Sequence, residues 1–159
     1  MQESFRFFIA GIMQGSRKDR SVHDQSYRRV IRETLMREFP GSRIYCPAEN
    51  HPGSPSYKNE RAREVFYHHI ELVKNAHVLV VFLPEASLGS AIEMWEAAHR
   101  GVMIVSITPM HANWVVRILS DEHCRDLEGF VKLVESGKLK SRLMKRFDYA
   151  EHDEAGEAR

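Results

Sequence analysis

The chain has 159 residues, 43% of them hydrophobic and 28% charged, with 23 Lys and Arg against 22 Asp and Glu and a formal net charge of +1. That length fits one domain. The near-neutral balance gives no electrostatic footprint for gripping a nucleic-acid polymer, and no apolar run approaches the roughly 20 residues of a membrane span. Two cysteines, Cys46 and Cys124, make no disulfide framework, which predicts a reducing, cytoplasmic setting. The opening MQESFRFFIAGIM has no basic stretch before its apolar residues and does not read as a signal peptide.

In chain order, residues 5–10 read as a buried strand closed by Gly11, and residues 11–20, with two Gly and four charges, as a loop. Tyr27, Val30, Ile31, Leu35 and Phe39 recur at helical steps, so a helix is predicted from Ser21 or Asp24 to Phe39, stopped by Pro40-Gly41. Residues 43–46 form a short strand candidate. Residues 47–56, with three Pro, predict a loop with mobility. A helix follows over 57–75, with Ala62, Val65, Phe66, His69, Ile70, Leu72 and Val73 as its inward stripe. HVLVVFL, 77–83, is the most apolar strand. With so little alternation it belongs in a parallel sheet covered on both faces. A turn over 84–90, a helix over 91–100 and a strand over 102–107 come next. A short helix is predicted over 113–119, and another from Leu127 that continues towards Phe147. Residues 148–159 are acidic and small and read as a flexible tail behind a single domain of residues 1–147. Strands separated by helices predict an open α/β sheet, which holds ligands beyond the carboxyl ends of its strands. The loops 11–20, 47–56 and 84–90 are therefore expected to meet at one site.

The strongest local signal is FLPEASLGSAIEMWEAAHRG, residues 82–101. Ser87, Gly89 and Ser90 lie where a strand gives way to a helix, and free N–H groups at a helix start attract anions. On this reading Glu93 falls in the first turn, where the helix dipole holds a carboxylate ionised. Beside a sugar carbon it is a nucleophile. The plainer alternative is a favourable first-turn acid with Ser87 and Ser90 as caps. Glu96 competes for the role, and Trp95 is expected in the core, with a pocket wall as the alternative. In the first loop, Gln14, Ser16 and Arg17 are able to bind sugar or phosphate oxygens, or simply to form a solvated charged loop. GIMQGSRKDR is neither GxGxxG nor a P-loop. Nine histidines prompt a metal reading, but His68 and His69 are adjacent and no HExxH or CxxC occurs, so no metal is expected, and the carboxylate chemistry of Glu93 calls for no cofactor. His69 lies on an apolar stripe, as a satisfied core or pocket histidine or as a proton-transfer group. Cys46 follows a strand and is able to be exposed there, with nothing to activate it. Lys138, Lys140, Arg142, Lys145 and Arg146 form the basic cluster, read as a solvated helix face.

Two segments together, FFIAGIMQGSRKDR and KNAHVLVVFLPEASLGSAIEMWEAAHRG, resemble the nucleoside 2-deoxyribosyltransferase and 2'-deoxynucleoside 5'-monophosphate N-glycosidase superfamily over roughly residues 5–117. The Ser87-Leu88-Gly89 run followed by Glu93 is closest to the N-glycosidase branch. The resemblance implies a flavodoxin-like, Rossmann-like three-layer sandwich with a mainly parallel sheet of four or five strands. It implies a homodimer with composite active sites and Glu93 as a nucleophile on the anomeric carbon of a nucleoside sugar. Ser87, Leu88 and Gly89 would hold a 5'-phosphate, and Gly11, Ile12 and Met13 would line the sugar and base pocket. Asn113 and Arg117 would come from the partner. The chain departs from the family's pattern at Phe8, where a tyrosine is usual, at His69 for an aspartate, at Gln14 for an arginine and at Trp95 for a glycine.

The reading reached is an N-glycosidase or N-deoxyribosyltransferase on a nucleoside or nucleoside 5'-monophosphate, with hydrolysis favoured. Its catalytic residues are Glu93 and His69. The binding residues are Gly11, Ile12, Met13, Gln14, Arg17, Ser87, Leu88, Gly89 and Asn113. The competing reading is a nucleotide-binding module without turnover on the same fold. Trp114, Val115, Ile118 and Leu119 form the candidate dimer patch.

Overall fold

The computed structural model describes residues 4–156, with side chains described through residue 147. Five strands form one all-parallel sheet in the order β2-β1-β3-β4-β5, the flavodoxin-like arrangement. They are β1 (Arg6–Gly11), β2 (Arg43–Tyr45), β3 (Val78–Phe82), β4 (Met103–Ile107) and β5 (Glu122–Cys124). The helices are α1 (Tyr27–Glu38), α2 (Pro47–Asn50), α3 (Asn59–Lys74), α4 (Leu88–His99), α5 (Trp114–Leu119), α6 (Leu127–Glu135) and α7 (Lys138–Gly156).

Strand residues alternate between two cores, one on each face of the sheet. Phe7, Ile9, Val78, Val80, Met103, Val105 and Ile107 pack against Tyr27, Ile31 and Leu35 of α1, Phe130 and Val134 of α6, and Leu139 and Leu143 of α7. Phe8, Ala10, Leu79, Val81 and Ile104 pack against Val73 of α3, Met94 and Ala97 of α4, and Val116 of α5. Both faces of β3 are covered, so Val78, Leu79, Val80 and Val81 are fully buried. Each such side chain contributes about 1.5–3 kcal/mol of transfer free energy.

Several expectations change. The segment 47–56 is structured: Pro47 starts α2, and Ser54–Ser56 forms a 3-10 turn with its own proline near the start. Prolines suit a first helical position, where no N–H is needed. The helix expected over 91–100 begins at Leu88, so Ser87 is its N-cap and Glu93 lies in the second turn rather than the first. Trp95, expected in the core, is 55% exposed, and Cys46 is buried. Gly137, with φ +75°, separates α6 from α7, so the continuous helix expected from Leu127 is two. Helical backbone continues to Gly156, and residues 157–159 of the expected tail lie outside the described residues. No helix among the described residues is long and apolar enough to cross a membrane.

β5 was not anticipated from the residue pattern. It is held by charge rather than by apolar pattern. Glu122, 8% exposed, receives Lys138 at 3.3 Å and is bonded by Arg142, while Arg146 meets Asp121 at 3.0 Å. Most of the basic cluster on α7 is thus engaged in fixing the last strand. Burial opposes the Glu122 charge, but hydrogen bonds from Arg142 and Lys138 hold its carboxyl below the usual value. That interaction stabilises the fold above the ordinary carboxylate pKa and is lost as pH falls. Glu122→Gln is expected to lower stability by on the order of 1–2 kcal/mol at pH 7. Chemical denaturation should show the difference from wild type shrinking towards pH 3.

Candidate functional site

A cavity of about 360 Å³ opens at the carboxyl ends of β1 and β3. These are neighbouring strands whose connections run to opposite faces of the sheet, where such folds leave a crevice. The three loop regions expected to converge do so: Gly11, Met13, Gln14 and Gly15 from the first, Pro47, Ser54 and Pro55 from the second, and Ser87 with Leu88–Ser90 from the third. Gly11 is required by close approach, since a Cβ there would lie 2.5 Å from the Tyr27 hydroxyl and 2.9 Å from the Phe82 carbonyl.

Glu93 projects from α4 into this cavity. Among the described residues its carboxylate has no hydrogen bond and no ion pair. Burial raises its pKa to about 7, against the opposing charge of Arg28. The helix dipole therefore does not keep this carboxyl fully ionised, as a first-turn position would have implied. Ser87 caps α4 by position but makes no side-chain cap hydrogen bond, and Ser90 is buried against the same cavity. The space beside Gly89 is open: a side chain there would meet nothing within 4 Å apart from its chain neighbours and the backbone of its own helix.

His69 forms another part of the wall. Its Nε2 lies 3.2 Å from the Tyr45 hydroxyl, and its ring packs against Phe8 and His51. Burial, with His51 and His68 adding to it, lowers its pKa to about 4. A neutral imidazole is the result at neutral pH. Phe8 is buried and stacked on Tyr45, with no hydroxyl to offer.

Gly11, Met13, Gln14, Ser87, Leu88, Gly89, Glu93 and His69 all line the cavity. Ile12, Arg17 and Asn113 do not. Ile12 is fully buried, and its carbonyl accepts from Tyr27 and Gln25. Arg17 reaches Ser21 on the exposed loop, and Asn113 caps α5 by accepting from the Val116 N–H. Glu96 is also absent from the lining. Sequence reasoning missed Arg28 and Tyr57, both on the cavity wall. Arg28 is the notable omission, since it stands in an Arg-Arg pair that looks like any solvated helix face. Among the described residues no three His, Cys, Asp or Glu side chains gather as a metal site.

No protein-family model matches the sequence, and no curated protein matches it. Solved structures do match the fold. A 2-deoxyribosyltransferase from the psychrotolerant bacterium Bacillus psychrosaccharolyticus superposes with a TM-score of 0.60 at 16% identity, over 79% of this chain and 90% of that one. The chain shares the fold of a 2-deoxyribosyltransferase. A conserved protein from Enterococcus faecalis V583 superposes with a TM-score of 0.61 at 14% identity, over 84% of this chain and 99% of that one. Within this deoxyribosyltransferase fold the cavity occupies the strand-end crevice, and its chemistry must be read from its own residues.

Because the folded state disfavours a protonated His69, its protonation destabilises the protein as pH falls from 6.5 towards 4. An NMR titration of imidazole C–H resonances should show His69 unchanged from pH 8 to about 5. A midpoint at 6 or above would show a solvated ring instead.

Proposed function

We propose that the protein belongs to the nucleoside 2-deoxyribosyltransferase and N-glycosidase superfamily and cleaves the base–sugar bond of a nucleoside or nucleoside 5'-monophosphate. The observation that carries this reading is the partnerless carboxyl of Glu93 on the cavity wall, next to the start of α4. A carboxylate consumed by a structural ion pair is a poor nucleophile, and this one has no such partner among the described residues. Its oxygen attacks C1', the C1'–N bond breaks, and the electron pair leaves with the base, which takes a proton from solvent. Water then attacks C1' of the glycosyl ester, releasing the sugar and regenerating the carboxylate. No cofactor is needed for either step.

The uncapped Ser87 hydroxyl, the buried Ser90 hydroxyl and the first amides of α4 suit a 5'-phosphate. His69 and Tyr57 supply neutral hydrogen-bonding groups to the base. At a pKa of about 4, His69 is a hydrogen-bonding partner rather than the proton donor that its ordinary pKa would allow. Hydrolysis is favoured over transfer because a transferase must exclude water while a second base enters, and no group among the described residues argues for that arrangement. Two buried free thiols fit a cytoplasmic location.

A homodimer is part of this reading. Helix α4 packs against both α3 and α5, and these three helices carry Phe66, Leu88, Ile92, Trp95, Trp114, Val115 and Ile118 on their outer surface. Leu88 is 85%, Trp114 72% and Ile118 70% exposed, a concentration unusual for a monomer. Phe66 and Leu88 also line the cavity, so a second copy packed here closes the site.

Incubation with a panel of nucleosides and their monophosphates, followed by chromatography, should detect free base. Glu93→Ala should reduce release at least 100-fold. Since the nucleophile must be ionised, the rate should rise with pH to a plateau, with a midpoint near 7. Tight nucleotide binding with no release, unchanged in Glu93→Gln, marks a binding module instead, the reading that Phe8 favours. Light scattering at micromolar concentration should give twice the 18.5 kDa chain mass. Trp114→Asp with Ile118→Asp should return it to the monomer value, and a monomeric wild type removes the shared-site reading.

A further inference from the structure

Arg28 is the one buried cation among the described residues, at 4% exposure. Its partners are neutral. Nη1 donates to the Ile9 carbonyl at 3.0 Å, Nη2 to the Gly11 carbonyl at 3.3 Å and Nε to Gln25 Oε1 at 2.8 Å. No carboxylate among the described residues pairs with it. Carbonyl dipoles satisfy a guanidinium without cancelling its charge, so a net positive field remains at the carboxyl end of β1. Burying such a charge without a counter-ion is costly, and it is unusual away from functional sites. The same cavity has Arg28 on one wall and the unbonded carboxyl of Glu93 on another.

We infer that Arg28 is the positioning residue that holds the negative charge of Glu93 through its fixed field. The inference rests on Glu93 being the working carboxylate. Arginine suits the task because it stays charged at every accessible pH. The other titratable groups around Glu93 add no cation. From α1, Tyr27 is kept protonated by burial and donates its hydroxyl to the Ile12 carbonyl. From α3, His69 is kept neutral by burial. In front of α3, the Tyr57 hydroxyl meets His51 at 3.2 Å.

The test reads Glu93 directly. With glutamate labelled by carbon-13 at the carboxyl, its resonance is assigned by its loss in Glu93→Gln and titrated by NMR. The wild-type midpoint is expected near 7. Arg28→Gln should raise it by about one unit, a tenfold gain in proton affinity, and Arg28→Lys should restore most of the difference. Gln25→Glu keeps an acceptor for Arg28 Nε but adds a negative charge beside it, so it should also raise the midpoint. The rising limb of base release should follow the same order, with kcat rather than KM carrying the loss at pH 7. A midpoint unmoved in both Arg28→Gln and Gln25→Glu overturns the inference whether or not base is released. Shifted midpoints without any base release overturn the glycosidase reading and leave this one standing. If Arg28→Gln does not fold, Gln25→Glu alone decides.

Discussion

The guanidinium of Arg28 is bonded to main-chain carbonyls where β1 ends, and much of the site depends on that attachment. It draws the first turn of α1 over the strand end, and Gln25, bonded to it, also holds the Ile12 and His23 carbonyls. The first loop is thereby anchored at both ends while its middle remains exposed. The same guanidinium sets the electrostatics, since its charge opposes the burial that would otherwise leave Glu93 neutral. One side chain thus serves packing and charge together, on an element that contributes no reacting atom.

The sheet explains why the two faces have different character. The face covered by α1, α6 and α7 is closed by a large apolar core and by the ion pairs joining α7 to β5. The face covered by α3, α4 and α5 has a smaller core and leaves large apolar side chains outside. The cavity lies on that less finished side. The larger apolar core thus lies on the opposite face from Glu93 and from most of the exposed large apolar side chains.

The strands β1, β3 and β4 were legible because buried parallel strands read as unbroken apolar runs. β5 was not, because Glu122-His123-Cys124 has no apolar pattern and owes its place to cations 16 to 25 residues later. The start of α4 was misplaced because Ser-Leu-Gly-Ser is as good a turn as it is a cap and first turn. As cavity-lining positions, Glu93 and the run Ser87–Gly89 were legible from local chemistry at a strand–helix junction, and His69 from its place on the apolar stripe of α3. Arg28 was not, since its neighbour Arg29 has the same chemistry and only the helix's rotation decides which one is buried. Trp95 failed in the opposite direction: size argued for burial, while its position on α4 leaves it outside.

The segment 47–56 has a consequence of its own. Its chain of turns runs without a break, from Glu49 bonded to the Cys46 carbonyl through His51 to Pro47, Ser54 to His51 and Tyr57 to Ser54. Prolines fix the backbone at the start of both short helices. This side of the cavity mouth is therefore a preset edge, with little ordering entropy left to lose against an arriving molecule.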